Sequence, residues 1–224
     1  MPSLYRNGQN WVSEVLGEHA LLVRPENEEL EHIHKLISEM EGAGLEGIID
    51  IVPAYSSLAV FFDGSKWDHH TLIAEIENLS EGKSSVKAVQ NMIEIPVCYE
   101  LGMDWKDVIR QTGLEKEQII ELHNSKIYTI AMMGFIPGFI FLNGLDAKLA
   151  VPRKSTPRTG VPAGSIGIGG NQTGMYSLES PGGWNIIGRS PKSFFDSSKN
   201  PPTLLKAGDK VKFTSISEKE FHRG

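Results

Sequence analysis

The residues best suited to bind or activate a substrate lie between positions 146 and 192 of the 224-residue chain. This segment has six basic and two acidic residues, a local charge of +4, although the whole chain carries −6. Arginine and lysine bind carboxylates and phosphates, and glycine-rich turns present backbone N–H groups to anions. The segment therefore predicts a site for a small anion, and an exposed basic rim without a ligand is an equally good alternative.

Four short clusters hold the candidate residues. The first, at 134–139, places two phenylalanines around a glycine–proline turn, which either lines a ligand or forms a tight buried corner. The second, at 152–159, presents three cations on a stretch stiffened by proline, and arginine is suited to forked recognition of carboxylate or phosphate. The third and fourth are glycine-containing turns at 161–165 and 180–184, and the fourth leads to Arg189.

Histidine and serine chemistry is less strongly indicated. His123 ends a predicted helix just before an apolar strand, where a histidine is either buried or a base near the following loop. The histidine pairs at 32 and 34 and at 69 and 70 lack a third ligand at useful spacing, so we predict no bound metal. Ser165 lacks the strand-then-helix context of a nucleophile elbow and is predicted to be a turn residue.

The first 90 residues alternate strand-like and helix-like patterns, which predict a small α+β domain over residues 1–90. Strands are predicted at 20–24, 48–52, 58–62 and 92–98, helices near 30–40 and 66–79, and a polar loop at 80–85. The order strand–helix–strand–strand–helix–strand is that of a ferredoxin-like split βαβ unit.

The second part of the chain has a different composition and a different pattern of predicted elements. Two short helices are predicted at 104–111 and 115–124, with strands at 126–133 and 210–215. Between them, residues 134–191 hold 12 of the 23 glycines and 6 of the 12 prolines. Such a composition predicts turns and short strands, as in a small barrel or sandwich.

Composition and charge also exclude several functions. A net charge of −6 is opposite in sign to that of a typical nucleic-acid binder, so we expect no nucleic-acid partner. The single cysteine, Cys98, excludes an internal disulfide and fits a reducing compartment. The most apolar stretch, 127–142, contains Pro137 and is shorter than the roughly 20 residues of a spanning helix. We therefore expect a cytoplasmic protein with no membrane contact.

Three motifs, in this order, resemble a known family: GFIPGFIFLNGL from residue 134, PRKSTPRTGVPAGS from 152 and YSLESPGGWNIIGRSP from 176. They are similar to the carboxyltransferase subdomain C and D family, which includes the B-type subunit of 5-oxoprolinase, a kinase A inhibitor and allophanate-hydrolase-type subunits. The resemblance implies an N-terminal α/β domain followed by a cyclophilin-like β-barrel over residues 91–224, an α+β protein overall.

The resemblance also implies a function for the chain. It implies a component of an ATP-dependent 5-oxoprolinase, which opens 5-oxo-L-proline to L-glutamate, with ATP as co-substrate of the complex. The implied partners are a second carboxyltransferase-like subunit, the C-type subunit of 5-oxoprolinase, and a third, A-type subunit. The alternatives are an inhibitor of a sporulation-type histidine kinase and a urea- or allophanate-type carboxyltransferase component, whose biotin would come from a partner.

The resemblance finally implies roles for individual residues. Arg153, Lys154 and Arg158 are expected to hold carboxylate or phosphate, glycine turns to donate N–H groups to an oxyanion, and His123 to position water. The expected catalytic residues are His123, Arg153 and Arg158. The expected substrate-binding residues are Gly134, Phe135, Pro137, Gly138, Phe139, Lys154, Gly164, Ser165, Gly182, Gly183, Trp184 and Arg189.

Overall fold

A computed structural model describes residues 3–6, 8–79, 92–203 and 205–223. The chain divides into two units, Met1–Val89 and Gln90–Gly224. The loop predicted at 80–85 lies outside the described residues, and so does the predicted domain boundary between residues 90 and 91.

The first unit is a five-stranded antiparallel sheet with two helices. The strands are β1 Ser3–Arg6, β2 Gln9–Val15, β3 Ala20–Pro25, β4 Ile48–Pro53 and β5 Leu58–Phe62, and the helices are α1 Leu30–Ala43 and α2 His69–Asn78. The sheet order is β1-β2-β3-β5-β4. Alternate residues of each strand face the helices: Leu58, Val60 and Phe62 of β5 are buried with Ile33 and Leu36 of α1.

The helix ends follow local side-chain chemistry. α1 stops at Gly44, which adopts a left-handed conformation with φ 58°. α2 begins at Asp68, whose carboxylate accepts a hydrogen bond from the Thr71 backbone N–H at 2.8 Å. The first helical residue, His69, therefore lies three positions after the start of the predicted helix at 66–79.

The ferredoxin-like arrangement predicted for the first unit is not confirmed. The strand predicted at 92–98 forms as β6, Met92–Val97, but it pairs in parallel with β14, Lys210–Ser215, in the sheet of the second unit. β2 takes the place beside β3 that this strand would have filled. β1 and β2 carry only a weak strand signal, because β2 (QNWVSEV) has neither a continuous apolar run nor a strict alternation of polar and apolar residues.

The second unit is built on a curled, half-barrel sheet of seven strands. The order is β13-β10-β11-β8-β7-β14-β6, antiparallel except for the β14–β6 pair. Its remaining strands are β7 Ile127–Met133, β8 Ile140–Asn143, β10 Ser165–Gly169, β11 Gln172–Met175 and β13 Asn185–Arg189. A separate pair joins β9, Arg158–Val161, to β12, Ser180–Gly182, and the helices are α3 Trp105–Thr112, α4 Lys116–Ser125 and α5 Glu218–Phe221.

The two faces of this sheet carry different side chains. Ile166 and Ile168 of β10 and Met175 of β11 pack into the main core of the unit. Because side chains alternate along a strand, Gly167 and Gly174 lie on the opposite face. This alternation separates the core from the face described below.

Over the described residues, the helices are too short or too polar to cross a membrane.

Candidate functional site

The glycines of β10 and β11 create a flat surface on which Trp184 lies. A Cβ atom added to Gly169 would lie 2.9 Å from Trp184 Cδ2, and one added to Gly174 would lie 3.0 Å from Trp184 Cζ3. One added to Gly167 would lie 3.1 Å from Trp184 Cβ. A side chain at Gly169 would displace the indole, one at Gly174 would also meet the Ile140 carbonyl oxygen at 2.8 Å, and one at Gly167 would press on the Trp184 Cβ atom. The close approach of Trp184 therefore favours glycine at all three positions.

Trp184 belongs to a cluster of aromatic rings on the same face. Its ring centroid lies 5.7 Å from that of Phe139 and 5.8 Å from that of Phe141. Tyr176 packs edge-to-face on Phe139 at 4.8 Å, a preferred aromatic geometry. The structure therefore brings together Phe139 and Trp184, which come from different predicted clusters.

Arg153 covers the outer side of Trp184. Its guanidinium carbon lies 5.3 Å from the centre of the indole, within the range of a cation–π contact. Asn185 Nδ2 donates to the carbonyl of Pro152 at 2.9 Å and so fixes the backbone just before Arg153. The Arg153 side chain is exposed, and no ion pair with a carboxylate is found for it among the residues the structure describes.

Lys154 and Arg158 differ from Arg153 because acidic side chains hold them. Lys154 Nζ donates to Asp104 Oδ1 at 2.8 Å and to Asp107 Oδ2 at 3.1 Å. The Arg158 guanidinium donates to the same oxygen of Asp104. Two of the three predicted anion-binding cations therefore have internal counter-charges, whereas Arg153 has none within the described part of the chain.

The pKa values of this cluster follow from the same contacts. Burial alone would raise the pKa of the Asp104 carboxyl, but hydrogen bonds from Arg158 and Lys154 outweigh burial and lower the pKa. The hydrogen bond to Asp104 is the main cause of a raised pKa at Lys154. Asp104 and Lys154 are consequently both charged at neutral pH.

The second and fourth predicted clusters meet at a pair of glycines. The Lys154 backbone N–H donates to the Gly183 carbonyl at 2.7 Å, and Gly182 pairs with Arg158 across β9 and β12. A Cβ atom on Gly182 would lie 2.2 Å from the Tyr176 hydroxyl, whereas one on Gly183 would make only ordinary contacts. Gly182 is therefore a site of close packing, and Gly183 is not.

The third cluster forms a turn held by the protein's own contacts. A Cβ atom on Gly164 would lie 2.3 Å from the Ser190 carbonyl oxygen, and the Ser190 N–H donates to the Gly164 carbonyl at 2.8 Å. Ser165 is buried at the start of β10. Arg189 Nε donates to the Ala163 carbonyl at 2.8 Å. These contacts support the turn, and ligand-binding roles for Gly164, Ser165 and Arg189 remain predictions.

The first cluster combines a buried corner with one exposed ring. Phe139 is buried, while Phe135 is 65% exposed and has a φ of 71°, unusual for a residue other than glycine. The two rings meet edge-to-face at 5.6 Å. The Gly134 N–H donates to the Phe139 carbonyl at 3.2 Å and closes the turn around Pro137 and Gly138. Phe135 and Pro137 are thus the exposed residues of this cluster.

His123 lies on the other face of the sheet. Its ring is fully buried and stacks on Phe213 at 4.5 Å. Nδ1 lies 2.7 Å from the Tyr99 hydroxyl and Nε2 lies 3.1 Å from the Thr173 hydroxyl. Burial lowers the pKa of His123 to about 3, so the ring is neutral. The structure does not bring His123 to the Trp184 face, and its contacts are those of a structural residue; a water-positioning role remains only a prediction.

Two important residues were missed by reasoning from the sequence. Asp104 is only the first residue of the helix predicted at 104–111, although its side chain binds two cations. Tyr176 lies inside a motif but was given no role. The signal for the flat surface was the Ser-Ile-Gly-Ile-Gly run at 165–169, where glycine and isoleucine alternate with the period of a strand.

No group of three or more His, Cys, Asp or Glu within the described residues is arranged to hold a metal ion. The second unit presents a face on which the exposed Arg153 lies over Trp184 and its neighbouring aromatic rings. The sequence matches the family "Carboxyltransferase domain, subdomain C and D" over residues 11–205, and the chain belongs to that family.

The chain is similar over nearly its full length to the 5-oxoprolinase B subunit of Bacillus subtilis, with 40% identity covering 93% of this chain and 94% of that protein. The 5-oxoprolinase B subunit of Haemophilus influenzae is 44% identical, covering 75% of this chain and 79% of that protein.

Two solved structures share the fold. The protein TTHA0988 matches with a TM-score of 0.77 and 32% identity over 89% of this chain, which spans only 40% of that longer chain. The Kluyveromyces lactis urea carboxylase matches over the whole of this chain and 23% of its own, with a TM-score of 0.75. At 19% identity, this second match shows the fold alone.

Proposed function

We propose that the chain is the B-type subunit of a 5-oxoprolinase, an ATP-dependent enzyme that opens 5-oxo-L-proline to L-glutamate. The observation that carries the proposal is the 40% identity to a protein of that name over 93% of this chain and 94% of that protein. The cationic face around Arg153 supports it, because both the substrate carboxylate and the phosphates of ATP are anions.

The proposed reaction couples ring opening to ATP hydrolysis. The terminal phosphoryl group of ATP passes to the lactam oxygen, which makes the ring carbon open to attack by water. The C–N bond then breaks to give an acyl phosphate, and a second water releases phosphate and glutamate. The protein's task is to hold the anionic groups in place and stabilise developing negative charge.

We assign the main anion contact to Arg153, which Trp184 supports from below at 5.3 Å. Lys154 and Arg158 border the same face, and their side chains are each 23% exposed. Both are paired with Asp104, so they are proposed to contribute positive potential to the face, while Arg153 makes the main contact with the anion. The remaining predicted residues, including Gly183, would shape the face or donate backbone N–H groups.

The proposal includes partners and a location. The chain would work in the cytoplasm with a second carboxyltransferase-like subunit, of the C type, and a third of the A type. The curled sheet of the second unit would be a cyclophilin-like barrel, with the domain boundary near residue 90. The urea-type alternative is supported less strongly, by 24% identity to the urea amidolyase of Saccharomyces cerevisiae over 85% of this chain and 12% of that protein, and by a likeness of fold.

The direct test is reconstitution. This chain is co-expressed with the candidate A-type and C-type subunits, and 5-oxoproline-dependent release of ADP and glutamate is measured with and without it. We expect release only when all three proteins are present. An assembled complex that hydrolyses no ATP with 5-oxoproline would refute the proposal and make a histidine kinase or another amide the next candidate to assay.

A further inference from the structure

Asp104 lies at the start of α3 but does not cap it. An aspartate in this position usually accepts a hydrogen bond from an N–H of the first helical turn, and the Asp104 side chain makes no such bond. Its Oδ1 instead accepts from Lys154 Nζ at 2.8 Å and from Arg158, and its Oδ2 accepts from the Ile186 N–H at 2.7 Å. The carboxylate is turned from its own helix toward the cationic face.

These bonds join the three segments that build the face. Lys154 adjoins Arg153, Arg158 begins β9, and Ile186 follows Trp184 by two residues in the chain. The backbone adds a second connection, since the Asp104 N–H donates to the Ile186 carbonyl at 2.9 Å. The Asp104 side chain is only 2% exposed, so water competes little for these contacts.

We propose that Asp104 is a positioning residue of the anion-binding face. It fixes Lys154 and Arg158 relative to Trp184 and offsets part of their charge, so that the anion is directed to Arg153. Without the carboxylate, two cations would compete with Arg153 for the same anion, and binding would become tighter but misplaced. The kinetic part of this inference rests on the proposed 5-oxoprolinase function, and the binding part does not.

Asp104→Asn tests the inference because it keeps the shape of the side chain and removes its charge. The matched control is Asp146→Asn, since Asp146 is likewise paired with a lysine, Lys126, at 3.2 Å, but is only partly buried. Inorganic phosphate is titrated into each full-length chain. We expect phosphate to bind Asp104→Asn about three- to tenfold more tightly than the wild type, and Asp146→Asn as the wild type does.

In the reconstituted complex, Asp104→Asn is expected to lower kcat about tenfold or more while phosphate inhibits more strongly. Asp104→Glu keeps the charge but moves it by one methylene, so kcat should fall with phosphate affinity unchanged. Circular dichroism confirms folding, and if Asp104→Asn does not fold, Asp104→Glu carries the test. Phosphate affinity of Asp104→Asn equal to the wild type, or normal kcat in Asp104→Glu, would overturn the inference. A wild-type complex without activity would refute the proposed function and leave the phosphate result standing.

Discussion

His123 shows how burial determines what a side chain can do. Both ring nitrogens are hydrogen-bonded inside the core, and the pKa of about 3 keeps the ring neutral at any physiological pH. The ring would be an effective base only if its pKa lay near the working pH. We therefore expect His123 to affect stability more than catalysis.

The pKa of His123 predicts how stability depends on pH. Once unfolded, the ring titrates near 6.5, against about 3 when folded, so the unfolded chain binds the extra proton between these values. The free energy of unfolding should fall as pH decreases from 6.5 toward 3, by up to about 1.4 kcal/mol per pH unit. His123→Gln should flatten this slope in urea unfolding measured at several pH values. An unchanged slope in His123→Gln would contradict the prediction.

Residue type alone points to Arg153, Lys154 and Arg158 as candidate anion binders, but it does not show how their charges are paired. Asp104 lies 50 positions before Lys154 in the chain, and no local pattern connects residues so distant. The pairing of Lys154 and Arg158 with Asp104 is therefore a tertiary contact that the sequence pattern does not show.

At the scale of elements, the two consecutive glycines before Trp184, Gly182 and Gly183, differ in how much space surrounds an added Cβ atom. Gly182→Ala would place a methyl group 2.2 Å from the hydroxyl of Tyr176, a buried and rigid side chain. We expect a loss of about 1–3 kcal/mol in the free energy of unfolding. In Gly183→Ala the new Cβ lies 3.6 Å from its nearest neighbour, so stability should stay within about 0.5 kcal/mol of the wild type. Chemical denaturation measures the free energy of unfolding of both variants, and an equal loss in the two would show that the Tyr176 side chain can move aside.

Most elements could be predicted because their signals are local. β5 at Leu58–Phe62 and β14 at Lys210–Ser215 form within the predicted bounds, since a short apolar run or a polar–apolar alternation that follows turn residues is typical of strands. The sheet to which a strand belongs is not a local property. β6 was assigned to the first unit by its place in the sequence, but its partner β14 lies more than a hundred residues later.

At the scale of the whole molecule, each unit has its own core, and the first contains a buried ion pair. Arg6 donates to Glu39 at 2.8 Å and to the carbonyls of Ile76 and Leu79 at the end of α2. Glu39→Ala would leave the arginine charge buried without its partner, a loss of roughly 3–5 kcal/mol. Hydrogen exchange should show lost protection in the first unit and unchanged protection in the second.

The matched control for Glu39→Ala is Lys35→Ala. Lys35 is half-exposed and its Nζ lies 4.0 Å from Glu39 Oε1, so its removal should change stability by less than about 0.5 kcal/mol. Equal loss of protection in both units of Glu39→Ala would show that they unfold as one body.

The most direct test of the anion site is the kinetics of Arg153→Ala in the reconstituted complex. Arg223→Ala is the matched control, because it removes an exposed arginine from the C-terminal end of the chain. With 5-oxoproline and ATP as substrates, Arg153→Ala should raise the KM of one of them, or lower kcat/KM, by about ten- to a hundredfold. Arg223→Ala should match the wild type. An Arg153→Ala complex with wild-type kinetics for both substrates would contradict the assignment of the anion site to this face.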